Sequence, residues 1–213
     1  MDLFLDDKKV EDNGVGGGTL EQTLREVQIN LCPPRRILVG FRCDGEEIVS
    51  TAIAAAMQRP VASFERLEVF TSTREDLVAD TMGQASSSLE ETESTTHRVA
   101  ELLMEGKTVE GIERLGECLH VWQQVHDAVA KSLELLRLDP QKATVRDQPL
   151  LAALERPKDV LLQIKGALQA QDHVLLADIL QYEFAEVTDM WHTMIARIRQ
   201  EADDRRAADA EPT

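Results

Sequence analysis

The stretch that decides the fold is Thr73–Met104, TREDLVADTMGQASSSLEETESTTHRVAELLM, in which Val78, Met82, Ala85, Leu89, Thr92, Thr96, Val99 and Leu103 recur at alternating steps of four and three. Seven such steps in succession put all eight side chains on one stripe of an α-helix, the pattern of a heptad seam packed against a second helix. Ser72 or Thr73 stands where an N-cap belongs, Glu75 and Asp76 place negative charge at the positive end of the helix dipole, and Gly106 ends the run. Thr108 then opens a second helix, in which Ile112, Leu115, Leu119, Trp122, His126, Val129, Leu133 and Leu136 repeat the spacing. Two long helices joined by so short a turn pack antiparallel.

Toward the C-terminus, Asp139–Pro149 is polar and bounded by prolines, so it reads as a loop interrupting the bundle. A third helix is expected over about Leu150–Gln171, kinked at Pro157, with Leu161, Ile164 and Leu168 facing inward. Asp172 is placed to cap a fourth helix whose buried stripe is Leu176, Leu180, Val187, Trp191, Met194 and Ile198. Beyond Arg199 the chain is charged and alanine-rich, and residues 200–213 are expected to form a disordered tail.

Toward the N-terminus the periodicity changes. Leu3–Leu5, the polar Asp6–Lys9 and then Val10 read as a strand, a turn and a return strand, followed by a flexible connection over Asn13–Gly18. Thr19, with Glu21 and Gln22 behind it, opens a helix carrying Leu20, Leu24, Val27 and Leu31 at helical spacing, and Pro33-Pro34 ends it. Ile37–Cys43 is a strand running into the tight-turn pair Asp44-Gly45, Ala52–Met57 a short helix, and Leu67–Phe70 a further strand. The predicted fold class is therefore α+β and mostly helical. A small β-grasp-like unit over residues 1–72 precedes an antiparallel four-helix-type bundle over 73–199.

Composition narrows the function classes. Hydrophobic residues at 43% and charged residues at 29% suit a globular chain rather than a disordered one. The net charge is −16, split as 8 Lys/Arg against 12 Asp/Glu through Thr73 and 15 against 27 thereafter, so the acidity sits mainly on the bundle. Such a surface repels phosphate backbones and anionic lipid, and the only basic doublets are Lys8-Lys9, Arg35-Arg36 and Arg205-Arg206. Neither nucleic acid nor membrane is expected as a partner. Cys32, Cys43 and Cys118 form no close-spaced pair, charged residues near Met1 leave no signal-peptide core, and charge-free stretches such as Ile48–Gln58 fall short of the ~20 residues a bilayer span needs. These features make the cytoplasm the expected compartment.

Few motifs carry chemistry. The Gly14–Gly18 run is followed by Thr19-Leu20-Glu21 instead of the Gly-Lys-Ser/Thr of a phosphate-binding loop, and reads as a linker. No Gly-x-Ser-x-Gly is present, Ser86–Ser88 lie inside a helix, and no cysteine has the setting of an activated thiolate. A metal reading draws on Glu117 with His120 and on Asp189 with His192, each pair at i and i+3, joined by Glu183. Helical geometry turns these residues toward the flanks of the seams, as it does Glu90 and Glu93 beside Leu89, so capping, solvated charge and helix pairing are the preferred reading. His126 holds a seam position near Leu89 and Thr92, where the first helix of the bundle also turns polar at Thr92 and Thr96, which points to a hydrogen-bonded layer fixing register, with a ligand or proton-transfer role as the alternative. In the segment DHVLLADILQYE, Asp172–Glu183, the groups Asp178, Tyr182 and Glu183 lie on adjacent faces, and Tyr182 is the only tyrosine. An amphipathic helix with paired carboxylates explains them simply, and contact with the first unit or a partner is the functional alternative.

Four features in order, Cys43-Asp44-Gly45-Glu46, a strand ending in Phe70-Thr71, a helix beginning at Glu75-Asp76-Leu77 and the Asp172–Glu183 segment, resemble a family of uncharacterised bacterial proteins. The resemblance implies the architecture and no activity. The expected function is non-enzymatic and without a cofactor: an adaptor, regulatory or chaperone-like protein that binds another protein through helix faces or the small sheet. The alternatives are a carboxylate and histidine metal-binding bundle, which needs Glu117, His120, Glu183, Asp189 and His192 to converge, and a structural homodimer.

Overall fold

The structure, a computed structural model, describes residues 1–11, 17–48 and 50–210, so most of the expected Asn13–Gly18 connection and the last residues of the tail lie outside it. Two units are found, Met1–Arg74 and Glu75–Thr213, each with its own hydrophobic core.

In the first unit the strands are β1 (Asp2–Leu5), β2 (Lys8–Lys9), β3 (Arg36–Cys43), β4 (Glu46–Glu47) and β5 (Arg66–Thr73). They form one sheet in the order β2-β1-β5-β3-β4, with β1 parallel to the central β5 and the other pairs antiparallel. Two hairpins flanking a central last strand make the β-grasp arrangement. Helix α1 (Leu20–Glu26), which continues as a π-helical turn over Val27–Leu31, and helix α2 (Ser50–Met57) complete the unit. Thr19 and Gln22 form a reciprocal capping box at the start of α1. Leu20, Leu24 and Val27 pack with Leu3, Leu67 and Val69 of the sheet in the core.

Both hairpin turns have two consecutive residues in the left-handed region, Asp6 and Asp7 in one and Asp44 and Gly45 in the other. Each leading aspartate also anchors the central strand. Asp6 accepts from the Thr71 amide at 2.7 Å and the Thr71 hydroxyl at 2.6 Å, while Asp44 accepts from the Glu65 and Arg66 amides at 2.8 Å each. Burial pushes the Asp6 carboxyl up, but the Thr71 hydrogen bonds and the Arg36 guanidinium, 3.4 Å away, hold it below its ordinary value.

The second unit contains α3 (Arg74–Met104), α4 (Thr108–Leu135), a short hairpin of β6 (Thr144–Val145) and β7 (Gln148–Pro149), α5 (Leu150–Ala170), α6 (His173–Asp178), a π-helical turn at Ile179–Glu183 and α7 (Phe184–Ala210). All of the long helices feed one core, and among the described residues no helix is long and apolar enough to cross a membrane.

Every seam residue expected on α3 is buried. On α4 the expected Leu115, Trp122, Val129, Leu133 and Leu136 are buried, but Gly111, Cys118, Val125 and Ser132 hold the intervening positions where Ile112, Leu119 and His126 were expected. Close approach explains the choice: a Cβ on Gly111 would stand 3.1 Å from Leu103 Cδ2, so the helices meet where α4 carries small side chains. His126 consequently lies half-exposed beside the core, stacked on Trp191 with ring centroids 5.7 Å apart. Thr92 and Thr96 do not use it; their hydroxyls donate to the Ser88 and Thr92 carbonyls of their own helix at 2.7 and 2.8 Å. The N-cap of α4 is Lys107 rather than Thr108.

On α5 the inward stripe is Pro157, Val160, Ile164 and Ala167, which leaves Leu161 exposed rather than buried. Pro157 lies inside this helix and supplies no N–H to the Ala153 carbonyl four residues back. The indole N–H of Trp191, on α7, donates to that carbonyl at 3.0 Å. Trp191 also packs edge-on against Trp122, at 4.9 Å between centroids, and Trp122 against Phe184 at 5.2 Å.

The C-terminal helix runs past Arg199 to Ala210 instead of fraying at residue 200. Ala202 is fully buried, Arg205 donates to the Leu136 carbonyl at 2.5 Å, and Arg206 bridges Asp76 at 3.2 Å and Asp203 at 2.7 Å. The guanidinium of Arg205 thereby caps the C-terminal end of α4, where carbonyls lack amide partners.

Two outcomes follow from these contacts. Trp191→Phe is expected to destabilise the second unit by about 3 kcal/mol in wild type, and by about 1–2 kcal/mol less in a Pro157→Ala background, where a new amide can serve Ala153. Urea unfolding of the four proteins of that cycle gives the coupling, and additivity would remove the assigned role. Asp6→Asn is expected to weaken the first unit by about 1–2 kcal/mol at pH 7. Because the folded carboxyl titrates below its unfolded value of about 3.9, that contribution is complete above about pH 4 and fades as pH falls through the folded value. Thr71 amide exchange in the two proteins across this range reads it, and a pH-independent difference would contradict the ionic origin.

Candidate interaction surface

The run from His173 to Ala210 is continuous helix except that its second turn and a half is wide. Asp172 caps it, accepting from the Leu175 amide at 2.9 Å. Among the buried residues that follow, Leu176, Leu180, Phe184, Val187, Trp191 and Met194 recur at steps of three and four. Leu176 to Leu180 and Leu180 to Phe184 are two successive four-residue steps, each overrunning an α-helical turn by about 40°. The π-helical turn at Ile179–Glu183 absorbs that excess, so that all six side chains face the core.

On the opposite side, Val174, Asp178 and Tyr182 follow at four-residue steps and all three are exposed. Val174 is 61% exposed, Leu175 beside it 46% and Tyr182 65%. Leu161 and Leu162 on α5 are exposed as well. Gln163 on α5 donates to Glu183 of the π-helical turn at 2.6 Å, so the two elements that carry these residues are in contact. Single exposed apolar residues need no explanation, but Val174, Leu175 and Tyr182, exposed within nine residues of one helical run, mark a place where another surface can pack.

The residues of the metal reading are dispersed. Glu117 and His120 are exposed, with His120 Nε2 3.1 Å from Gln124 Nε2. Glu183 is taken by Gln163, Asp189 pairs with Arg146 of the β6–β7 turn at 2.9 Å, and His192 faces Glu93 at 3.8 Å. Among the described residues no group of three or more His, Cys, Asp or Glu could hold a metal ion. Burial pushes the thiols of Cys32, Cys43 and Cys118 up, opposite to the shift that activates a nucleophile.

Of the residues singled out from sequence, Asp178, Tyr182 and Glu183 are thus brought to one surface and His126 stands apart from them on α4. The apolar part of that surface was missed. Val174 and Leu175 sit in the apolar run Val174–Ala177, whose burial cannot be apportioned until the face of the helix is known.

The chain belongs to the family of the domain of unknown function DUF8042, whose family model matches residues 80–194, more than half of its length. The match begins inside α3 and ends inside α7, so it takes in the Val174–Tyr182 surface, and it agrees with the resemblance to an uncharacterised family. No curated protein and no solved structure matches the chain.

Proposed function

We propose that this member of the DUF8042 family is a non-enzymatic protein-binding module, an adaptor or chaperone-like protein of the cytoplasm, whose protein partner packs on the Val174, Leu175 and Tyr182 surface. The observation that carries the reading is the exposure of these three side chains on a helix whose other face is committed to the core. Covering a valine or leucine side chain is worth about 1.5–3 kcal/mol, and an exposed tyrosine is a favoured interface anchor because it buries a large ring while keeping its hydroxyl available. The acidic balance of −16 favours a protein partner over nucleic acid or an anionic membrane surface.

The test compares the tagged wild-type protein with a Val174→Asp/Tyr182→Ala variant, both purified gently from the native host and weighed by native mass spectrometry. A stoichiometric second protein in the wild-type sample, reduced at least about 30-fold in the variant at unchanged thermal midpoint, is the expected result. Retention of the partner by the variant would move the interface elsewhere, and a wild-type protein found as a bare monomer would end the reading. A mass of twice the chain that the same substitutions abolish would identify the partner as a second copy and replace the adaptor with a homodimer.

A further inference from the structure

The row that carries the exposed apolar residues also carries charge. Val174, Asp178 and Tyr182 stand at four-residue steps, and Glu186, four residues further on, is exposed as well, so apolar and acidic side chains alternate. Asp172 to Asp189 holds five carboxylates, and from His173 to Ala196 there is no lysine or arginine. Three of the five are engaged within the chain: Asp172 caps the helix, Glu183 accepts from Gln163 and Asp189 pairs with Arg146. Among the described residues no hydrogen bond or ion pair engages the other two, Asp178 and Glu186, and these are the two that interrupt the apolar row.

An exposed carboxylate stays hydrated, but one covered by an apolar surface loses its water and is stable only against a cation. Anything that covers both Val174 and Tyr182 also covers Asp178, which stands between them in the row. Where helices pack, the charges beside an apolar seam select the partner. A second copy of this segment brings no lysine or arginine to meet either carboxylate, so self-pairing sets acid against acid or against an apolar side chain. A neutral apolar helix leaves both carboxylates uncompensated. The straight row of four-residue steps is itself a helical ridge, the shape that another helix receives in its groove.

We propose that the segment which docks here is a basic amphipathic helix of another protein, whose apolar stripe covers Val174, Leu175 and Tyr182 and whose lysine or arginine side chains pair with Asp178 and Glu186. The inference rests on the reading of this surface as a docking site and adds the chemistry of what docks. Asp178 and Glu186 are separated by about 12 Å along the helix at its rise of about 1.5 Å per residue, so the two cations stand about two turns apart on one side of the partner helix.

Peptide binding to the full chain tests it, with two amphipathic helical peptides that share a leucine stripe and carry either lysine or glutamine at every other position. Fluorescence anisotropy at low salt is expected to show the lysine peptide bound at least about tenfold more tightly than the glutamine peptide. Asp178→Asn/Glu186→Gln is expected to reduce that preference at least about fivefold at unchanged thermal midpoint. Glu113→Gln/Glu117→Gln removes the same charge at exposed sites on α4 and is expected to leave the preference within about twofold. Sodium chloride at about 0.5 M is expected to screen the preference to under about twofold. A lysine peptide bound no more tightly than the glutamine peptide, or a preference that the two double variants reduce alike, would overturn the basic partner and leave the docking surface standing. Val174→Ser/Tyr182→Ala separates the two questions, because it removes apolar area at constant charge. It is expected to weaken both peptides at least about tenfold, and unchanged binding there would overturn the docking surface together with this inference.

Discussion

The arrangement of the helical unit hangs on one hydrogen bond, from the Trp191 indole to the carbonyl of Ala153. Pro157 leaves that carbonyl without its helical donor, and a buried carbonyl left unmade costs about 1–3 kcal/mol. The tryptophan answers it from another helix, and in doing so fixes how far along α5 and at what rotation α7 lies. Trp122 and Phe184 pack edge-on around the same ring system, and His126 closes it from outside. A proline inside a helix thus becomes a docking point for its neighbour instead of a break.

Once Trp191 is placed, the remainder of the fourth helix has to meet the core in phase. Trp191, Val187 and Phe184 set the inward face, and the two four-residue steps back to Leu176 keep that face only because the π-helical turn widens the helix at Ile179–Glu183. The same turn leaves Tyr182 on the outside, in line with Asp178 and Val174. The surface proposed for a partner is therefore the reverse side of the packing solution and not an addition to it. The polar residues that might have assembled into a metal centre are held apart for related reasons. Arg146 takes Asp189, and Gln163 takes Glu183.

In the β-grasp unit the comparable constraint is the central strand β5. Asp6 and Asp44, one from each hairpin turn, hold it at opposite ends through its amides and the Thr71 hydroxyl, so the turns and the sheet stabilise one another. On the β3 edge that the short β4 leaves uncovered, Gln28 bonds the Leu38 amide and the Arg36 carbonyl. Both π-helical turns therefore serve packing that reaches beyond their own helix.

Sequence by itself determined the tight turn at Asp44-Gly45 and all eight seam residues of α3, while Ala79, Ala100 and Leu102, buried beside that seam, were added by packing. On α4 two stripes compete, Ile112, Leu119 and His126 against Gly111, Cys118 and Val125, and apolarity alone favours the larger side chains. Only the tertiary structure decided between them, since the choice depends on how closely Leu103 approaches Gly111. The same holds for Leu161 against Val160 on α5, for the Trp191 bond to a carbonyl 38 residues away in sequence, and for the helix past Arg199 that Arg205 and Arg206 pin to α4 and α3. Local periodicity specifies that a helix forms and roughly which half is apolar. Which residues of that half are buried, and which stay outside, is set by the shape of the neighbouring helix, and that shape is not encoded within any one segment.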